Sequence, residues 1–161
     1  MISEQVLELL LGETKRERFT GKLLTLGKQS SLISAEYLKK RAVTYGVSLA
    51  SDSDFPPTIA TSGGGDDCLD DVSILTDLGA SSVTSLDFSD YEGADVIYDL
   101  NRRELPEHLK HAFDIIIDIG VIEHVFDIAA AFENIHNMLA VGGRFIIFTT
   151  CIHYIDRAFY M

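Results

Sequence analysis

No tryptophan occurs in this chain of 161 residues, and it holds only two cysteines and three prolines. Cys68 and Cys151 stand far apart, without a second cysteine or a close histidine pair at zinc-ligand spacing, which excludes a disulfide framework and a structural zinc site. His153 beside Cys151 is a lone neighbour, so no metal is expected. Basic residues are scarce too, 13 against 25 acidic, for a formal net charge of −12. Binding a phosphate backbone takes a basic stripe, and the two dense clusters, Lys15, Arg16, Arg18 and Lys39, Lys40, Arg41, read as solvated helix faces. Nucleic acid is not expected as a partner. No apolar run reaches the roughly 20 residues of a membrane span, and Glu4 and Glu8 interrupt the leading apolar stretch. The expected setting is reducing and cytoplasmic, with no membrane partner.

What is present is a 47% apolar content in a length that suits one domain over residues 1–161 with a real core. Val6, Leu7, Leu10 and Leu11 recur at helical spacing, which predicts an amphipathic leading helix over about 3–18. Lys22 to Gly27 is a short apolar run closed by glycine, as for a buried strand entering a turn. Ser34 caps a predicted helix with Tyr37, Leu38, Ala42 and Tyr45 inward, and Gly46 ends it. Pro56, Pro57 and Gly63-Gly64-Gly65 make about 47–66 a loop insertion. Asp66 and Asp67 then open a helix carrying Leu69, Val72, Leu75 and Leu78, ended by Gly79.

Strands are predicted at Ser82–Asp87, Asp95–Asp99 and Phe113–Ile119, the last with Ile115, Ile116 and Ile117 leaving no polar face. The link 88–94 is short for a parallel crossover, which needs a dozen residues or more, so the third strand is expected to be a stub. Asp127 caps a helix through Leu139, and Gly142-Gly143 ends it before a strand from Arg144 to Thr150. Strands alternating with helices predict an α/β doubly wound, mostly parallel sheet in three α/β/α layers.

In such sheets ligands sit beyond the carboxyl ends of the strands. The residues there are Gly27, Lys28 and Gln29, then Asp87 and Phe88, then Asp99, Leu100 and Asn101, then Asp118 and Ile119. Carboxylates at strand ends accept from a ribose diol or an exocyclic amine, which describes an adenine nucleoside.

These positions resemble class I S-adenosylmethionine-dependent methyltransferases, in an uncharacterised subgroup, from about Leu23 onward. The resemblance is carried by Leu24 to Gln29, Ser85 to Asp95, Tyr98-Asp99-Leu100-Asn101, Phe113 to Asp118, Ile122-Glu123-His124-Val125 and Met138 to Phe145. It implies a Rossmann-like methyltransferase fold and S-adenosylmethionine as cofactor, with S-adenosylhomocysteine as product. Asp87 is implied to hold the ribose hydroxyls and Asp99 to face the adenine amine. Asp118 and Ile119 are implied to border the methionine part and the methyl acceptor. The implied reaction is in-line transfer of the sulfonium methyl to a small-molecule or glycan-like acceptor, which needs mainly alignment. His124 is the candidate catalytic residue, as base or orienting group, against the plainer reading of a loop histidine that caps the next helix.

The first turn departs from the family pattern, because Gly27-Lys28-Gln29 keeps one glycine of the usual two and a β-carbon at Gln29 narrows the backbone approach. A non-catalytic binding or scaffold domain on the same fold is therefore the alternative. A nicotinamide-dependent oxidoreductase ranks lower, since the later glycines of its fingerprint are missing and Asp87 lies far beyond its roughly 20-residue spacing. That reading would need a second strand at Val47–Ala50 followed by Asp52. With a sheet order of 3-2-1-4-5, the strand Arg144 to Thr150 becomes an edge that neither proline nor, after Arg144, charge protects. The expectation is a sheet without the family's last two strands, its edge covered by a missing C-terminal segment or by a second copy in a homo-oligomer.

Overall fold

Each helix begins at a polar side chain that takes up an otherwise unpaired backbone N–H. In the computed structural model, which describes residues 1–50 and 67–149, α1 spans Glu4–Arg16 with Ser3 accepting from Val6 N–H. Helix α2 spans Ala35–Tyr45 with Ser34 accepting from Tyr37 N–H, and Gly46 ends it at φ 69°. Helix α3 spans Asp71–Asp77 behind Asp70, and α4 spans Ile128–Met138 behind Asp127. Caps of this kind each contribute about 1 kcal/mol.

The described chain divides into two units, Met1–Gly21 with Gln29–Val83, and Lys22–Lys28 with the chain from Thr84 on. In the first, Leu7, Leu10 and Leu11 of α1 are fully buried, as are Leu38 of α2 and Ile74 and Leu75 of α3. The Arg41–Glu8 ion pair and a hydrogen bond from the Tyr37 hydroxyl to Glu4 tie α1 to α2. Tyr37 and Tyr45 stay half-buried, so the inward face of α2 is narrower than the spacing predicts. Helix α3 starts later than expected because Asp70, not Asp66 or Asp67, supplies the cap. Leu69 therefore precedes the helix, and Val72 is exposed. Residues 47–50 form no strand: Ala50 N–H instead donates to Asp77 O at 2.8 Å. Most of the predicted insertion, with Asp52, and everything from Thr150 on lie outside the described residues.

The five strands are β1 Lys22–Leu26, β2 Ser82–Asp87, β3 Val96–Ile97, β4 Phe113–Ile119 and β5 Leu139–Phe148. They form one parallel sheet in the order β3-β2-β1-β4-β5, the α/β Rossmann-like order expected. Leu24, Leu26, Leu86 and Ile116 share a core with Ala131, Ile135 and Met138 of α4. Burying each large aliphatic chain stabilises by roughly 1.5–3 kcal/mol.

Strand β3 is a stub of two residues, reached from β2 without a helix. Asp95 makes this short link hold. Its Oδ2 accepts from both the N–H and the hydroxyl of Ser85 at 2.8 Å, and its own N–H donates back to Ser85 Oγ at 3.1 Å. The Ser85 N–H bond is the main reason the Asp95 carboxyl sits below its ordinary pKa, and the Lys28 ammonium adds to it.

The other end of the sheet corrects the predicted role of Gly142-Gly143. Helix α4 stops at Met138, and both glycines lie inside β5, where the pairing with β4 shifts register between Phe113–Leu139 and Ile115–Arg144. Gly142 takes φ 83°, and a β-carbon on Gly143 would stand 2.9 Å from Ala140 O and 3.0 Å from Asp114 O. They form a bulge rather than a helix cap. His111, at φ 53°, closes the helix end: its N–H donates to Asn137 O at 2.8 Å and its Nδ1–H to Leu139 O at 3.0 Å.

Candidate functional site

Beyond the carboxyl ends of β2 and β3 lies a cavity of about 400 Å³, within the roughly 300–1,000 Å³ of small-molecule sites. Leu86 and Tyr98 form apolar walls from the two strand ends, and Leu100, Val121 and Val125 complete them. Asp87, Asp99, Asn101 and His124 bring the polar atoms, and the 73% exposed Phe88 stands at the rim. His124 is also exposed.

Both acids are partly engaged by their own loops. Asp87 Oδ1 accepts from Ser89 N–H at 3.2 Å. Asp99 Oδ1 accepts from the backbone N–H of Asn101 at 2.9 Å and from its Nδ2 at 2.7 Å. These bonds, the backbone one first, hold the Asp99 carboxyl below its ordinary pKa. Each acid keeps its Oδ2 without a protein partner among the described residues. That donor-free pair beside apolar walls suits a ligand with a hydroxyl or amine edge and a flat apolar body.

The turn 99–103 is tied to α4 from beneath. Asn134, 1% exposed, donates from Nδ2 to Leu100 O at 3.0 Å and to Arg102 O at 2.6 Å. Its Oδ1 lies 3.3 Å from the Tyr98 hydroxyl, whose pKa burial raises. Asn101 Oδ1 accepts from Asp127 N–H at 2.8 Å, and Arg103 reaches Asp127 at 2.9 Å and Glu133 at 3.4 Å.

The strand-end residues thus divide. Asp87, Phe88, Asp99, Leu100, Asn101 and His124 meet around one cavity, while Gly27, Lys28, Asp118 and Ile119 are not among its walls. Gly27, at φ 73°, donates its N–H to Leu86 O at 2.7 Å and continues the sheet. Gln29 belongs to the first unit, where it is 4% exposed and its N–H donates to Asp71 Oδ2 at 3.0 Å.

Asp118 is fully buried, and its Oδ1 accepts from Val121 N–H at 2.9 Å and Ile122 N–H at 3.3 Å, capping the 3₁₀ turn Ile122–His124. Its Oδ2 is buried without a partner among the described residues. Burial, with the nearby Glu123 charge, raises its pKa to about 6 against the pull of those two N–H groups. The walls supplied by Leu86, Tyr98, Val121 and Val125, and the Asn134 clamp, are not among the site residues named from the sequence. Leu86 could have been found as the apolar residue directly before the strand-end acid Asp87; nothing local marks Asn134.

Neither the curated proteins nor the solved structures compared with this chain yield a match. Among the described residues no helix is long and apolar enough to cross a membrane. Residues 71–145 match the family model described as a methyltransferase domain, a stretch that runs from α3 into β5 and contains every wall of the cavity. That stretch is therefore similar to methyltransferase domains, and the parallel sheet in which it lies agrees with the likeness.

Proposed function

We propose that the protein is an S-adenosylmethionine-dependent methyltransferase whose nucleoside subsite is the cavity between the ends of β2 and β3. The observation that carries this is the pair of strand-end acids, Asp87 and Asp99, each with one oxygen unengaged beside apolar walls in a stretch similar to methyltransferase domains. Asp87 accepts from the ribose hydroxyls and Asp99 from the adenine amine, while Leu86, Leu100 and Val125 cover the purine. The bound cofactor supplies an electrophilic methyl group on a sulfonium. Held there, it would offer that methyl to an acceptor lone pair, the carbon–sulfur electrons staying on sulfur and the acceptor's proton passing to a base. His124, exposed at the cavity, is positioned to take that proton directly or through water. Alignment carries most of the rate, so no covalent protein intermediate is needed. The acceptor class is a small or glycan-like molecule bearing a hydroxyl or amine.

A second reading, a binding domain without catalysis, draws on the first turn, where the buried Gln29 replaces the expected glycine and its N–H is already bonded to Asp71. Calorimetry with S-adenosylhomocysteine on the full chain separates the two. Micromolar binding that Asp87→Ala weakens by about 1–3 kcal/mol is expected, the cost of removing a charged acceptor. No heat at millimolar ligand would transfer the argument to the binding-domain reading, and an unaffected Asp87→Ala would release Asp87 from its role.

A further inference from the structure

Asn101 lines the cavity, yet both ends of its amide are already used by the protein. A carboxylate only accepts and a backbone N–H only donates, so the amide has one orientation: Nδ2 faces Asp99 and Oδ1 faces Asp127. We infer that Asn101 is a positioning residue for Asp99 and not itself a ligand contact. It pins Oδ1 of that carboxylate and, through the first turn of α4, fixes where the remaining oxygen points. The inference rests on the cofactor reading for the ligand's identity, but not for the link itself.

Three observations converge on this. The Nδ2 bond, at 2.7 Å, is the shorter of the two that Asp99 Oδ1 receives. The Asp127 N–H that Asn101 accepts belongs to the residue that caps α4 and pairs with Arg103, so the anchor is a rigid helix end. The carboxyl of Asp99 is held acidic chiefly by Asn101, through its backbone and then its side chain. Arg102 on the same turn assists. The other ionisable groups near Asp99 are Tyr98, with Asp87 and His124 across the cavity. A carboxylate so held stays charged through mild acid and presents a single acceptor, which favours one amine hydrogen over a diol.

The test uses the full chain and two readouts. Carbon-detected NMR follows the Asp99 carboxyl through a pH titration without ligand, in wild type, Asn101→Ala and Asn101→Asp. The aspartate variant keeps the acceptor for Asp127 N–H and removes only the donor to Asp99, and because residue 101 is exposed both variants are expected to fold. Asp99 is expected to titrate at higher pH in both variants, and more so in Asn101→Asp. Calorimetry with S-adenosylhomocysteine is expected to show affinity lower by roughly threefold to tenfold in Asn101→Ala, the range of one hydrogen bond. The acid-side fall in affinity should also begin at higher pH. A direct ligand contact would instead lower affinity by the same factor at every pH, and either that result or an unmoved Asp99 titration would overturn the inference. If wild type binds no S-adenosylhomocysteine, the cofactor reading fails, and the titration alone still decides the role of Asn101.

Discussion

Asp99 and Asp118 both close strands of one parallel sheet, and the fold treats them in opposite ways. Asp99 lines an open cavity and is held acidic by the donors of Asn101. Asp118 is sealed, spends one oxygen on the turn above it, leaves the other without a partner among the described residues, and is pushed up to about 6. A strand end is therefore only an address. Whether an acid there meets a ligand depends on how deeply the following loop covers it. At Asp118 the cover is the turn Ile122–His124, which supplies His124 to the cavity and is followed by Val125, another of its walls. One acid faces the cavity, and the other shapes it from behind.

The largest effect is expected at Asp118. Its carboxyl moves from 3.8 to about 6 on folding, so between those values the folded state holds a proton that the unfolded chain has lost. Stability then falls as pH rises through that window and is flat above it, by about 3 kcal/mol at most, taking roughly 1.4 per unit. Asp118→Asn keeps an acceptor for Val121 and Ile122 N–H and removes the charge. It should be more stable than wild type by about 1–3 kcal/mol at pH 8 and equal to it near pH 4. Denaturant unfolding at both pH values reads this. Asp95, Asp99 and Asp127, all held below their ordinary pKa, contribute the opposite slope at lower pH, and the difference between the two proteins cancels it. Parallel pH profiles would erase the contrast between the two strand ends.

Next comes Asn134→Ala, which attacks the Asp99 side. The substitution takes the side-chain donor from the Leu100 carbonyl and one of two from that of Arg102, while the Tyr98 hydroxyl keeps Arg102 O and Glu104 O, at a cost of about 1–2 kcal/mol. Amides of residues 99–103 should also exchange faster, and S-adenosylhomocysteine should bind less tightly. Lower stability with unchanged exchange there would mean that the turn keeps its shape without the clamp.

Much of this was legible from pattern. The unbroken Ile115-Ile116-Ile117 run marked a doubly covered strand, and Ser34 and Asp127 marked helix starts because a side-chain acceptor before an apolar period has few other uses. The start of α3 slipped because four aspartates lie between 66 and 71 and any of them can cap. Gly142-Gly143 was misread because a positive φ serves a helix end and a strand bulge equally. In the site, strand position gave the acids that line the cavity but could not distinguish Asp99 from Asp118, since depth comes from loops packed on the strand. Asn134 was invisible for a related reason: a polar residue on the inner face of α4 shows its purpose only once the carbonyls of the turn beneath are placed.

The smallest effect tests how far the sealed side is sealed. Glu123 is 5% exposed, and its Oε2 accepts from the Thr149 hydroxyl at 2.9 Å. Thr149→Val keeps the shape and deletes that donor. A carboxylate stranded in an apolar interior would lose several kcal/mol, but Thr149 itself is exposed, so water can reach the position its hydroxyl leaves. The expected loss is therefore only about 0.5–1 kcal/mol. Since Thr149 bonds to Glu123 and not to Asp118, the pH window of Asp118 should remain where it is. Unfolding of Thr149→Val at pH 8, alone and combined with Asp118→Asn, measures both points. A loss above about 2 kcal/mol, the range of an unsatisfied buried group, would show that water does not enter beside Glu123. The dry region would then extend from Asp118 through Glu123 to the end of β5.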